Sequence, residues 1–181
     1  MRSVVVCESW FGNTRRLAEV IGRALEEVGE VEVLSVDDRL PVQGGFDLLV
    51  VGAPTHVHGL SRASTRRDAL RRRGESAQPG RGARGWLQSL PPPAGKRFAV
   101  FDTRVDKPAF LVGSAARSVA RRLERRGYEL IVPPESFFVL DVEGPLKDGE
   151  IERARAWAAS IAGALVQSRS QRELSGLQLT R

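Results

Sequence analysis

The chain has 181 residues, of which 41% are hydrophobic and 28% charged, and its formal net charge is +6. These values are typical of one globular domain with a complete core, and no run approaches the roughly 20 apolar residues of a membrane-spanning helix. A single cysteine excludes an internal disulfide, and Met1-Arg2-Ser3 leads straight into a predicted strand without a secretory signal. We therefore expect a cytoplasmic protein that has no membrane span.

The first predicted strand, residues 3–7, is followed by a short polar turn and then by a helical pattern over residues 13–27. Ser9, Gly12, Asn13 and Thr14 in this turn are small, hydroxylated or tolerant of unusual backbone angles. Such a turn can direct backbone N–H groups and hydroxyls toward one anion at the positive end of the helix. The turn therefore predicts a phosphate site, and the alternative is that Asn13 or Thr14 only caps the helix.

Strands and helices alternate through the rest of the chain. Further strands are predicted over residues 31–36, 46–52, 97–102 and 128–140, the last of them interrupted by Pro133 and Pro134. Further helices are predicted over residues 61–74, 112–127 and 150–166. We expect a single domain over residues 1–166, with an Arg-rich insertion or lid at about 61–84, and a polar, frayed tail over residues 167–181.

The segment from Arg62 to Arg84 is strongly basic. It contains eight arginines against two acidic residues, Asp68 and Glu75, and it contains no aromatic residue that could stack on a base. A basic run without a binding motif indicates a solvated surface rather than a nucleic-acid site. We therefore do not expect a nucleic-acid partner.

The order of the elements predicts a parallel sheet with helices on both of its faces. In such sheets ligands bind at the carboxyl ends of the strands, at the point where the strand order reverses. The segments that follow strands one, three and four are therefore the candidate site. We call residues 9–14 the first loop, residues 54–59 the second loop and residues 103–112 the third loop.

The first loop, Ser9-Trp10-Phe11-Gly12-Asn13-Thr14, resembles the phosphate loop of flavodoxins. The segment Gly52-Ala-Pro-Thr-His-Val-His-Gly59 resembles their second flavin-contacting loop, and Asp102-Thr103-Arg104 falls where the third loop should begin. The resemblance covers about residues 3–166. It implies the flavodoxin-like fold, a doubly wound five-stranded parallel sheet of order 2-1-3-4-5, with non-covalently bound FMN as the cofactor.

The resemblance also implies a role for each loop residue. The FMN phosphate would be held by Ser9, Phe11, Gly12, Asn13 and Thr14. Trp10 would cover the ribityl chain or the ring edge, or would simply pack on the surface. One side of the flavin ring would be lined by Pro54, Thr55, His56, Val57, His58 and Gly59. Thr103, Arg104 and Val105 would line the other side or contact the pyrimidine edge of the ring, and Asp102, at the start of this loop, is also an expected cofactor-binding residue. The guanidinium of Arg104 would raise the reduction potential.

Two features depart from the flavodoxin pattern. Flavodoxins usually enclose the ring between aromatic side chains, whereas the second loop offers His56 and His58, and the third loop has no aromatic residue before Phe110. The two histidines do not predict a metal site, because no further ligand accompanies them. Flavodoxins are also acidic, whereas this chain has a sequence pI of about 10.6.

Three functions from different classes follow from these observations. The first is electron transfer through FMN to a redox partner protein or a small-molecule acceptor, and the sequence favours this carrier role. The second is an FMN-dependent NAD(P)H/quinone or porphyrinogen-type oxidoreductase, for which no catalytic residue is predicted. The third is a flavodoxin-fold binding module without a cofactor.

Overall fold

The computed structural model describes residues 1–38, 45–56, 59–93 and 95–178, and strands and helices alternate along them. The strands are β1 Arg2–Cys7, β2 Glu30–Ser35, β3 Leu48–Pro54, β4 Arg97–Val105, β5 Glu129–Leu130 and β6 Glu135–Val139. The α-helices are α1 Asn13–Leu25, α2 Ala63–Arg72, α3 Gly82–Gln88, α4 Ala109–Val112, α5 Ala115–Glu124 and α6 Glu150–Gln178. A 3₁₀ turn, Glu26–Val28, follows α1.

All strand pairs of the sheet are parallel, in the order β2-β1-β3-β4-β5. Strand β6 also pairs with β4, beside residues 101–105, so β5 and β6 are two parts of one interrupted strand. The interruption contains Pro133 and Pro134, which have no backbone N–H to give to a sheet. The predicted flavodoxin-like topology and the break in its last strand are therefore confirmed.

Helices cover both faces of the sheet, because β1, β3 and β4 are apolar on both sides. One face packs against α3 and α5, and Trp86 of α3 is buried there. The opposite face packs against α1 and α6. In that layer Phe101, Phe137 and Trp157 make edge-to-face contacts with ring centroids 5.8 to 6.2 Å apart.

Two helices differ most from their predicted bounds. The helix predicted over residues 112–127 begins only at Ala115 and ends at Glu124. Gly113 has a φ of 78°, and Ser114 then caps α5 by accepting a hydrogen bond from the Arg117 N–H. The last helix continues to Gln178 instead of ending at Val166, since neither glycine nor proline interrupts residues 167–175. The domain limits themselves stay a prediction. No helix within the described ranges is both long and apolar enough to cross a membrane.

A substitution of Gly52 tests how tightly β3 packs. A Cβ atom at Gly52 would lie 2.3 Å from Cζ of Phe101, so we expect Gly52→Ala to reduce the free energy of unfolding by about 1–3 kcal/mol. Gly163→Ala is the control, because a Cβ on this helical residue would meet no atom within 4 Å. It should stabilise the protein by about 0.5–1 kcal/mol. Urea unfolding measures both values, and equal stability of the two variants would contradict this packing.

Candidate functional site

The three loops meet at the carboxyl edge of the sheet. The Glu8 N–H donates to the Gly52 carbonyl at 3.0 Å, and the Thr55 N–H donates to the Thr103 carbonyl at 2.8 Å. The hydroxyls of Thr14 and Thr103 lie 2.8 Å apart and share a hydrogen bond. These bonds tie each loop to a neighbour, so residues far apart in the sequence form one site.

The first loop presents a set of free backbone donors. Gly12 has a φ of 85°, which turns the chain into α1, and Ser9 Oγ accepts a hydrogen bond from the Arg15 N–H at 3.2 Å. No described residue accepts a hydrogen bond from the backbone N–H groups of residues 10–14. Clustered free N–H groups at a helix N-terminus are suited to an anion such as a phosphate.

A cavity of about 420 Å³ opens beside the first loop, within the size range of small-molecule sites. Ten residues that the resemblance implied line it: Ser9, Trp10, Phe11, Asn13, Thr14, Pro54, Thr55, His56, Thr103 and Arg104. Of the other implied residues, Gly12 lines a neighbouring cavity, while Gly59 and Asp102 line neither cavity. Val57 and His58 lie outside the described residues.

Two further walls enclose this cavity. Helix α2 supplies one wall with Thr65, Asp68, Ala69 and Arg72. The sequence left open whether this Arg-rich segment is an insertion or a lid, because its charged pattern is also the pattern of a solvated helix. The other wall is apolar and consists of Val105, Leu111, Val112, Val139 and Val142. Its third-loop members were foreseeable from the position of that loop, whereas Val139 and Val142 lie at the end of β6 and after it.

Long-range contacts hold α2 over the site. The guanidinium of Arg73 donates to the Trp10 carbonyl at 2.7 Å. Arg72 pairs with Glu143 at 3.3 Å, and the Glu143 carbonyl accepts a hydrogen bond from Asn13 Nδ2 at 2.9 Å. Helix α2, the first loop and the segment after β6 are thus connected around the cavity.

A buried carboxylate fixes the orientation of Trp10. Glu8 is only 2% exposed, and its Oε1 accepts a hydrogen bond from the Trp10 indole N–H at 2.7 Å. Its Oε2 accepts from the Ala83 N–H at 2.8 Å. Because the indole is held by the carboxylate and the Trp10 carbonyl by Arg73, Trp10 presents a fixed aromatic surface to the cavity.

His56 also faces the cavity, and its Nε2 is buried without a hydrogen-bond partner among the described residues. Burial lowers the pKa of His56, since a charged imidazolium would lose solvation. The Glu8 carboxylate opposes this shift of the pKa, and the buried Arg66 guanidinium reinforces it. His56 is therefore neutral at neutral pH and able to hydrogen-bond a ligand.

Asp102 lies beneath the site instead of lining it. Its Oδ2 accepts hydrogen bonds from the Ser114 hydroxyl at 2.7 Å, the Ala116 N–H at 2.9 Å and the Thr55 hydroxyl at 3.0 Å. The carboxylate thus connects the second loop to the N-terminus of α5. Because Thr55 lines the cavity, the Asp102 carboxylate contributes to the site by holding the Thr55 hydroxyl in place.

The third loop contributes Arg104 to the cavity lining, and this side chain has further contacts. The Arg104 guanidinium lies over the Phe138 ring, 4.9 Å from the centroid, and donates a hydrogen bond to the Lys107 carbonyl. Phe110 is 83% exposed and does not belong to the cavity lining, which the neighbouring Leu111 and Val112 supply. The contact between Arg104 and the flavin stays a prediction.

Comparison with solved structures identifies proteins of the same fold. A flavodoxin from the domain Archaea superimposes with a TM-score of 0.61 and 20% identity, over 90% of this chain and 97% of that protein. Flavodoxin 1 from Bacillus cereus gives a TM-score of 0.63 and 20% identity, over 88% and 96% of the two chains. A mutant of flavodoxin from Pseudomonas aeruginosa gives a TM-score of 0.64 and 16% identity, over 91% and 99%.

These similarities show that the chain has the flavodoxin-like fold over most of its length. No protein-family model and no curated protein matches the sequence. The strand order, the position of the cavity at the carboxyl edge and the three loops are consistent with this fold.

The lowered pKa of His56 predicts a pH-dependent stability. Below about pH 6.5 the unfolded chain takes up a proton on this imidazole that the folded chain does not, so stability falls as the pH falls. His56→Gln should remove this part of the pH dependence. Urea unfolding of both proteins at about pH 7.5 and about pH 5.5 measures the effect. An identical loss of stability in the two proteins would contradict the burial of His56.

Proposed function

We propose that this chain binds FMN at the carboxyl edge of its sheet and transfers electrons through it. The observation that supports the proposal is the set of free N–H groups of residues 10–14, which borders a cavity shared by all three loops. A phosphate group carries nearly two negative charges and accepts several hydrogen bonds at once. The first loop would hold this phosphate, and the cavity would receive the rest of the molecule.

The side chains of the cavity fit a flavin. Trp10 and Phe11 give it two aromatic side chains on the first loop, and the Glu8 carboxylate fixes the Trp10 ring. A neutral His56 and the hydroxyl of Thr55 are polar groups that could bond the edge of the ring. Among the described cavity-lining residues, the second and third loops contribute no aromatic side chain other than His56. The aromatic side chains of the first loop would take over the role of enclosing the flavin ring.

FMN supplies the one- and two-electron chemistry, and the protein supplies position and electrostatics. The carrier role needs a second molecule, either a redox protein or a small acceptor, that reaches the cavity. We further expect the protein to work in the cytoplasm, since its one cysteine is a buried free thiol.

An FMN-dependent oxidoreductase is the second candidate, and the mouth of the cavity favours it. Four of the large hydrophobic side chains that are exposed in the described structure lie in the third loop or after β6: Phe110, Leu111, Leu140 and Val142. Leu111 and Val142 also line the cavity. An apolar rim suits an apolar acceptor such as a quinone, and steady consumption of NAD(P)H with a quinone would distinguish the enzyme from a carrier.

Titration with two flavins tests the proposal. FMN should bind about 100-fold more tightly than riboflavin, because the phosphate gains at least two charge-assisted hydrogen bonds from the first loop. Quenching of flavin fluorescence measures both affinities, and riboflavin is the matched control because it lacks only the phosphate. Equal affinities would contradict the role of the first loop, and no binding of either flavin would favour a cofactor-free binding module.

A further inference from the structure

The outer side of α5 carries a cluster of arginines that belongs to no part of the candidate site. Residues 115–126 contain five arginines against one acidic residue, Glu124. The inner side of α5 is apolar and buried, whereas three of the exposed arginines recur every four residues and so share the outer side. We call the following residues the α5 surface: Arg117, Arg121, Arg122 and Arg125, together with the partly exposed Arg84 of α3.

Contacts between α3 and α5 bring these guanidiniums together. Arg126, which follows α5, donates hydrogen bonds to one carbonyl in α3 and to another just after it, both at 2.6 Å. Burial, and then repulsion from the guanidiniums of Arg84 and Arg125, lowers the pKa of Arg122. The positive charges of the two helices are therefore close enough to repel one another.

No acidic side chain in the described ranges pairs with a guanidinium of the α5 surface. Elsewhere, Arg15 of α1, Arg71 of α2 and Arg153 of α6 each pair with a carboxylate of their own helix. Arg117 lies in the first turn of α5, where the helix dipole opposes a cation, and Nε of Arg84 is buried without a hydrogen-bond partner among the described residues. Because repulsion among unpaired like charges opposes folding, a negatively charged partner accounts for them better than the stability of the fold does.

Helix α5 begins at the candidate site. The Ala115 N–H donates to the Thr55 hydroxyl at 2.9 Å, and Thr55 lines the cavity, so a partner that covers α5 lies beside the second loop. An acidic protein fits this surface better than a nucleic acid, because residues 115–126 include no aromatic side chain that could stack on a base. Glu124 would also repel a phosphate backbone, whereas a protein can place a hydrogen-bond donor opposite it.

We propose that the α5 surface docks an acidic protein with which this chain exchanges electrons. The proposal rests on the proposed function for the redox role of that protein, while the docking itself does not require FMN. One electron passes between the two redox centres at each encounter, and no covalent bond forms or breaks. The arginines would attract the acidic protein and orient it beside the cavity.

Binding of a plant-type ferredoxin, a small acidic redox protein, tests the proposal by calorimetric titration. The unchanged protein should bind it at about 20 mM salt, and at least about tenfold more weakly at about 200 mM salt, because salt screens exposed charges. The double variant Arg121→Gln/Arg125→Gln should weaken binding by about tenfold at the lower salt concentration. The matched control is Arg16→Gln/Arg23→Gln, which removes the same charge from exposed positions of α1 on the opposite face of the sheet and should weaken binding less than about twofold.

Absence of ferredoxin binding at the lower salt concentration, or an equal loss of affinity in the two double variants, would overturn the proposal. Tighter binding of a single-stranded oligothymidine through the same arginines would also overturn it, because the α5 surface would then be a nucleic-acid site. Titration of the same proteins with FMN keeps the two proposals apart. Ferredoxin binding that depends on Arg121 and Arg125 in a chain without affinity for FMN would support the docking and overturn the proposed function, and FMN binding without ferredoxin binding would do the reverse.

Discussion

The parallel register of β1, β3 and β4 is the constraint on which the site depends. It sets Cys7 beside Gly52 and Gly52 beside Phe101, so that all three strands end near the same level. Each loop therefore begins next to another, and the hydrogen bond between Thr14 and Thr103 joins the first loop to the third. A slip of one residue in β4 would turn Asp102 and Thr103 to the opposite faces of the sheet and remove both from their partners.

The first loop attracts an anion through groups that lie close to it, and this attraction does not depend on the net charge of +6. Neutral N–H groups and the N-terminus of α1 favour an anion directly. The carboxylate of Glu8, placed just before the loop, would oppose that anion, but its negative charge is shared between the Trp10 indole and the Ala83 N–H. The buried guanidinium of Arg66, which is 8% exposed, supplies positive charge in the same region.

The parts of the fold that follow from local chemistry were predictable from the sequence. The apolar runs of β1, β3 and β4 predicted buried parallel strands, the turn at Gly12 predicted the start of α1 at Asn13, and two prolines predicted the break between β5 and β6. The wall formed by α2 was not predictable in this way. It depends on contacts such as Arg73 with Trp10, which are 63 residues apart and leave no periodic pattern.

Within the site, too, features set by the local sequence were predictable and features set by long-range contacts were not. The first loop was recognisable because glycine, asparagine and hydroxyl residues have few reasons to cluster between a strand and a helix. The resemblance to flavodoxins implied that Asp102 contacts the cofactor, but the hydrogen bonds that its carboxylate accepts from Ser114 and Ala116 place it under α5. A carboxylate that contacts a ligand and one that supports a helix look alike in the sequence, and only the position of α5 in the structure distinguishes them.

The central claim is that the backbone N–H groups of residues 10–14 bind the phosphate of a flavin nucleotide. The most direct measurement is the backbone amide NMR spectrum of the protein during titration with FMN. The amide signals of residues 10–14 should show the largest downfield proton shifts, as expected for new charge-assisted hydrogen bonds. Unchanged amide signals in the first loop, with FMN bound elsewhere or not at all, would contradict it.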